Sequence, residues 1–255
     1  MHLNFKADTF SSSITKWYIQ NGRKNLPWRK VITPYRIWIS EIMLQQTQVK
    51  TVIPFYKKFI KKYPNLKSIS LATEDDILAL WTGLGFYRRA KNIYRTKEII
   101  KKEYKNKFPS KYEELISLPG IGRSTAGAIM SIAYKESYPI LDANVKRVIS
   151  RYKKINTDEK GVVKTLWSLS KNLTPEKNIF EYTQGIMDLG ATICNIRSPN
   201  CLDCPINKTC KSAFKNFEIE YKAKKERPKK KIFFTLAHSK KSFLLFKKNE
   251  KSFWE

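Results

Sequence analysis

The chain has 255 residues, 42% of them apolar and 28% charged, enough for one large or two small domains with real cores, which excludes a wholly disordered chain. Fifty Lys and Arg stand against 22 Asp and Glu, a formal net charge of +28, and a surplus of that size points to a polyanionic partner, most simply nucleic acid, with a lysine-rich composition as the plain alternative. No apolar run suffices to span a bilayer and no signal-peptide pattern opens the sequence, so a soluble cytosolic protein is expected.

In chain order, FSSSITKWYIQNG predicts a helix that opens on serines and closes at Gly22. PYRIWISEIMLQQTQVKTVIPFYKKFIKKYP reads as two helices, with Pro64 as the stop. In the first of them Glu41 shares a face with Ile37, Trp38 and Leu44. It is either a surface acid at the edge of the apolar stripe or a desolvated carboxyl with a raised pKa, suited to donating a proton. Gln45 and Gln46 follow, and Gln184 lies far downstream; each is an ordinary surface amide or a partner for a base edge. EDDILALWTGLG begins with acids, favourable at a helix N-terminus, and ends in Gly83 and Gly85. Next come Phe86 and Tyr87 beside Arg88, Arg89 and Lys91. That is a wedge for a base stack with cations for phosphates, or a loop that anchors its aromatics in the core.

Helical patterns follow over Arg88–Tyr104, Lys111–Ser117 and Arg123–Tyr134. LPGIG sits between the last two. Gly120 and Gly122 permit positive φ or close approach. The N–H groups entering the helix at Arg123 then form a phosphate seat that reads no base; a plain glycine-capped turn is the alternative. Ser124 comes directly after. Asp142, in YPILDANVKRV, suits the N-cap of a helix over Ala143–Tyr152. That role is compatible with stabilising a cationic sugar as a second carboxylate near Glu41. Asn144 is a turn residue or an orienting amide. Two further helices are predicted over Gly161–Leu173 and Phe180–Ile193.

All four cysteines fall in CNIRSPNCLDCPINKTC, at Cys194, Cys201, Cys204 and Cys210. Without a secretory signal a metal centre is favoured over disulfides. The spacing leaves zinc and iron–sulfur equally open. Residues 218–231 read as a linker, and KKIFFTLAHS and KSFLLFKK as two short strands, too few to bury a core alone.

Taken together, LPW, SEIMLQQTQV, WTGLG, LPGIGRSTAGAI, PILDANVKRV, QGIMDLGATIC and the four-cysteine loop resemble the helix–hairpin–helix DNA glycosylases. The order is closest to the MutY-type adenine DNA glycosylases, over about Phe10 to Phe214. The resemblance implies an all-α, two-lobed fold. One lobe is a six-helix barrel (29–136) carrying the hairpin (111–134). The other joins the N-terminal helix (1–28) to residues 137–217 and carries a [4Fe–4S] cluster on Cys194, Cys201, Cys204 and Cys210. Residues 232–255 would begin a Nudix-like domain that looks incomplete.

The resemblance further implies that adenine is flipped out of the duplex. Glu41 would protonate the base and Asp142 stabilise the sugar cation, with Asn144 orienting Asp142 or the water. Gln184 would hold the base, Gln45 and Gln46 would fill or probe the space it leaves, and Phe86 would wedge where the family usually has Tyr. Gly120, Gly122 and Arg123 would hold phosphate. Ser124 stands where bifunctional relatives such as endonuclease III carry a lysine; serine forms no Schiff base, so a monofunctional enzyme is expected. Its partner would be duplex DNA with adenine opposite 8-oxoguanine or guanine, met as a monomer at the nucleoid of a bacterial-type cytoplasm, with no membrane. An endonuclease III-like glycosylase/lyase and a non-catalytic DNA-binding protein with a metal cluster are the alternatives.

Overall fold

The computed structural model describes residues 4–215, with side chains from Thr9 onward. The predicted linker and both predicted strands lie outside the described residues. Among those described the regular structure is helical: α1 (Asn4–Asn21), α2 (Pro27–Lys30), α3 (Pro34–Leu44), α4 (Val49–Lys62), α5 (Leu66–Ile69), α6 (Glu74–Trp81), α7 (Arg88–Glu103), α8 (Tyr112–Ser117), α9 (Arg123–Ile129), α10 (Ala143–Lys153), α11 (Val162–Leu173) and α12 (Ile179–Thr192). A π-helical turn, Met130–Tyr134, extends α9, and a 3-10 turn, Asn207–Thr209, lies in the cysteine loop. No helix is long and apolar enough to cross a membrane among the described residues.

Local chemistry sets the helix starts. Thr33 caps α3, accepting a hydrogen bond from Arg36 N at 3.2 Å, and Pro34 occupies the first helical position. Thr73 and Asp76 form a reciprocal capping box on α6. Asp142 caps α10. The run predicted as one helix over Arg123–Tyr134 instead widens after Ile129 into the π turn and stops at Lys135, whose φ is +59°. The four-residue helices α2 and α5 are too short to show a hydrophobic period, and the sequence pattern misses them.

Helix α3 packs on α4, α7, α9 and the π turn, α6 packs on α7 and α4, and α8 on α9. Helices α1, α10, α11 and α12 pack among themselves, and the π turn touches α12. Trp38 and Trp81 are fully buried in the core, as are Phe10 and Ile14 of α1. Each such side chain is worth roughly 1.5–3 kcal/mol of burial. Gly185 lets α12 approach α1: a Cβ there would lie 2.9 Å from Ile14 Cγ2.

Candidate active site

A cleft of about 820 Å³ opens where α2, α3 and the start of α4 and α9 face α10 and α12. Glu41, Gln45, Gln46, Ser124, Asp142, Asn144 and Gln184 all line it, although they are spread over much of the chain. The site is acidic at one point and cationic around it, with Arg23, Arg29, Lys50 and Arg147 on its walls.

Glu41 projects from α3 beside buried Ile37 and Trp38. It is partly exposed, through the cleft, and no hydrogen bond reaches its carboxyl among the described residues. Burial pushes its pKa up to about 8, the charge of Asp142 adds to the rise, and Arg29 opposes it. The carboxyl is therefore largely protonated at neutral pH. Asp142 is different. Its Oδ1 accepts hydrogen bonds from Asn144 N at 2.7 Å and Val145 N at 2.8 Å. Burial raises its pKa, but these two N–H groups and Arg147 pull the other way. Of the two carboxyls, among the described residues Asp142 alone has hydrogen-bond donors that favour its charged form. Its Oδ2 receives no hydrogen bond among the described residues.

The neighbours of Asp142 are fixed in turn. Ser124 Oγ accepts a hydrogen bond from Leu141 N at 3.0 Å, tying the segment before Asp142 to the first turn of α9. Asn144 Oδ1 accepts from Arg147 Nη2 at 2.9 Å. Arg147 also donates to Gly190 O and, at 2.8 Å, to Cys194 O. Gly190 permits this close approach, since a Cβ on it would sit 2.6 Å from Asn144 Cβ. Gln184 is 2% exposed and its side-chain amide has no hydrogen-bond partner among the described residues. Gln45 is already engaged: its amide donates to Gly120 O at 3.3 Å. Gln46 is exposed with φ +54°.

Phe86, Gly120, Gly122, Arg123 and the cysteines lie outside the cleft lining. Phe86 is 56% exposed, with φ +51°. Arg89, read from the sequence as a candidate phosphate contact, is buried and serves α3 instead. It donates to the carbonyls of Ile42 (3.1 Å), Met43 (2.8 Å) and Gln45 (2.6 Å) at the end of that helix, and to Gly85 O. Gly120 needs its missing side chain: φ is +80° and a Cβ would press on Asn92 at 2.9 Å. Gly122 caps α9 in the open. The Arg123 guanidinium lies 4.0 Å from the centre of the Trp167 ring.

The four cysteines are partly buried and unpaired. Burial pushes the Cys204 thiol up to about 11, and the charges of Cys194, Cys210 and Cys201 add to this against a hydrogen bond from Ile206. The thiols therefore lie within reach of one another's fields. Arg151 Nη1 donates to Cys194 Sγ at 3.4 Å and to Asn195 O at 2.6 Å. Four soft donors with a cation beside them suit a thiolate-bound metal group. No three His, Cys, Asp or Glu among the described residues converge as ligands of a single ion.

Sequence reasoning missed one cluster. Asp188 is fully buried and accepts from Arg23 N (2.9 Å), Arg23 Nε (2.9 Å) and Nη2 (2.6 Å), and Arg29 Nη1 (2.7 Å) and Nη2 (3.0 Å). Burial alone would raise its pKa; the arginines hold it below the ordinary carboxylate value. Arg29 Nε is left buried without a partner. The pair is separated by 159 positions, and no local pattern in the sequence links the two.

Residues 39–172 match the family model of the HhH-GPD superfamily base excision DNA repair proteins. The chain is 47% identical over 251 residues to an adenine DNA glycosylase of Buchnera aphidicola subsp. Schizaphis graminum, covering 96% of this chain and 72% of that one. It is 36% identical over 218 residues to the adenine DNA glycosylase of Homo sapiens, covering 81% of this chain and 40% of that one. A thermostable thymine-DNA glycosylase superposes with a TM-score of 0.74 at 30% identity, over 82% of this chain and 97% of that one. Endonuclease III in a non-covalent DNA complex shares the fold, with a TM-score of 0.68 at 20% identity over 84% of this chain and 97% of that one. A desolvated carboxyl, a second carboxyl held by two backbone N–H groups in the same cleft and a glycine hairpin thus sit on a helical frame shared with base-excision enzymes, and the chain belongs to the HhH-GPD superfamily and, within it, to the adenine DNA glycosylases.

Proposed function

We propose that this protein is a monofunctional adenine DNA glycosylase, which hydrolyses the N-glycosidic bond of adenine mispaired with 8-oxoguanine or guanine in duplex DNA. The observation that carries the reading is that Glu41 and Asp142 share one cleft in unlike surroundings, Glu41 desolvated without a donor and Asp142 held by two backbone N–H groups. Adenine leaves poorly as an anion. Glu41 gives its proton to a nitrogen of the five-membered ring, the bond to the sugar breaks, and neutral adenine departs. Asp142 Oδ2 faces the resulting oxocarbenium-like sugar and stabilises its charge. Water then adds to the sugar and its proton returns to Glu41, leaving an abasic site. Asn144 orients Asp142 or the water. The Gln184 amide, on the cleft wall, offers hydrogen bonds to the flipped base.

The remaining assignments follow the same reading. Ser124 supplies no amine for a Schiff base, which supports water as the final nucleophile. Gln45 and Gln46 stand at the end of α3 to fill or probe the vacated stack, and exposed Phe86 serves as the wedge. Gly120, Gly122 and Arg123 form the phosphate seat. Cys194, Cys201, Cys204 and Cys210 hold a [4Fe–4S] cluster, which would fix the fold of the loop; the mutual fields of the thiols support one shared group. The protein acts as a monomer on DNA at the nucleoid.

The test uses duplexes with adenine opposite 8-oxoguanine, guanine or thymine, each reaction split with and without alkali. Cleavage of the adenine strand only after alkali is expected. Glu41→Gln and Asp142→Asn keep DNA binding and lose base release by at least 100-fold; normal turnover by either variant removes the assignment. Asparagine retains the Oδ1 acceptor, so the α10 cap survives in that variant.

A further inference from the structure

Nothing in the excision chemistry above uses Asp188, yet its surroundings are unusually well defined. A fully buried carboxylate takes both terminal nitrogens of Arg29, Nε and Nη2 of Arg23, and the Arg23 backbone N–H. The side chain of Arg29 is 4% exposed. Arg29 lines the same cleft as Glu41. An arginine and a carboxylic acid sharing a low-dielectric cleft have an obvious alternative: the guanidinium turns its fork onto the carboxyl, the proton leaves, and an ion pair results. An acid spent in that way has no proton to give.

We infer that Asp188 is a positioning residue for the acid step: by occupying both Nη atoms of Arg29 it holds that guanidinium in place and keeps it from pairing with Glu41. The inference rests on the assignment of Glu41 as the acid. Charges around Glu41 are few and identifiable. Asp142 faces it from the cap of α10, and Arg29 from α2. Arg23, Lys50 from α4 and Arg147 from α10 share the cleft, with Asp188 of α12 behind the arginines. From α7, Arg89 is spent on the carbonyls of α3. At the start of α9, Arg123 lies over Trp167. The π turn offers only Tyr134, bonded to Pro109 O. Arg29 is thus the cation whose freedom governs Glu41. Asp188, held below the ordinary carboxylate value, stays ionised through the neutral and alkaline range, so its own titration does not enter the profile.

The experiment is single-turnover release of adenine from an adenine–guanine duplex as a function of pH, at saturating enzyme. The wild-type rate falls on the alkaline side with a midpoint near the Glu41 value of about 8. In Asp188→Asn the midpoint is expected to drop by about one unit or more, so the rate at pH 8 falls by about fivefold or more while that at pH 6 changes little. Asp188→Glu restores the midpoint. A drop of equal size at every pH, with the midpoint unmoved, overturns the proposal and leaves Asp188 a structural residue. Should Asp188→Asn not fold, Asp188→Ser decides in its place: the same fall in midpoint is expected, and an unmoved midpoint overturns the proposal. Glu41→Gln runs in the same series. If it still excises adenine the acid assignment itself fails, which is separate from an inactive Glu41→Gln with an unmoved Asp188→Asn profile.

Discussion

Glu41 binds its proton more tightly in the folded protein than in the unfolded chain: its pKa rises from 4.5 to about 8. The contribution of that proton to stability is fully present below pH 4.5 and is lost as pH rises through about 8. Replacing the acid with an uncharged isostere removes the loss. Glu41→Gln is expected to stabilise the protein at pH 8 by on the order of 2 kcal/mol, with the gain vanishing near pH 4. Paired thermal melts at the two pH values check this, and a variant that is inactive yet more stable marks a residue kept for chemistry. The sequence made Glu41 visible as a carboxyl on an apolar face. It did not reveal whether that face was open or closed, because that depends on Asp142 arriving from 101 positions away. The arginines around Asp188 were less legible still. A charge on a helix reads as solvated until its partner is located, and nothing local to Asp188 or Arg29 names the other.

Helices α10 and α12 meet where Gly190 passes Asn144, and the contact has no slack. A Cβ at Gly190 would approach Asn144 Cβ to 2.6 Å and Asn144 O to 3.0 Å. Gly190→Ala must push the helices apart, at a cost of about 1–3 kcal/mol, and it moves the Asn144–Arg147 pair that borders Asp142. Loss of midpoint in urea unfolding together with slower base release is the expected result. Most helices were legible because their apolar residues repeat at helical spacing and their ends carry caps: the acids opening α6 and Asp142 before α10 both mark true starts. The widened turn after Ile129 was not legible, since it depends on packing against later residues. The close approach of Gly127 to Pro139 O, where a Cβ would lie at 2.4 Å, belongs to that packing. Arg89 was misread for a similar reason. Beside Arg88 it looked like part of a cationic strip, but helical geometry turns one arginine outward and the other onto the end of α3.

The whole molecule carries a net charge of +28, which acts at longer range than any of these contacts. Binding to undamaged duplex should weaken steeply with salt, by on the order of 1,000-fold between 50 and 200 mM if about six phosphates are neutralised. Titrating affinity against salt concentration measures the slope. Under the proposed role Glu41→Gln should share the wild-type slope, because an acid directed at the base neutralises no phosphate. The cleft also has a history written into its chain order. Glu41 comes from α3, Ser124 from α9, Asp142 from the cap of α10, and Gln184 and Asp188 from α12. During synthesis the chain therefore holds an incomplete site until α12 has left the ribosome and docked. An enzyme that removes bases from a genome is, by this arrangement, inert as a nascent or clipped fragment.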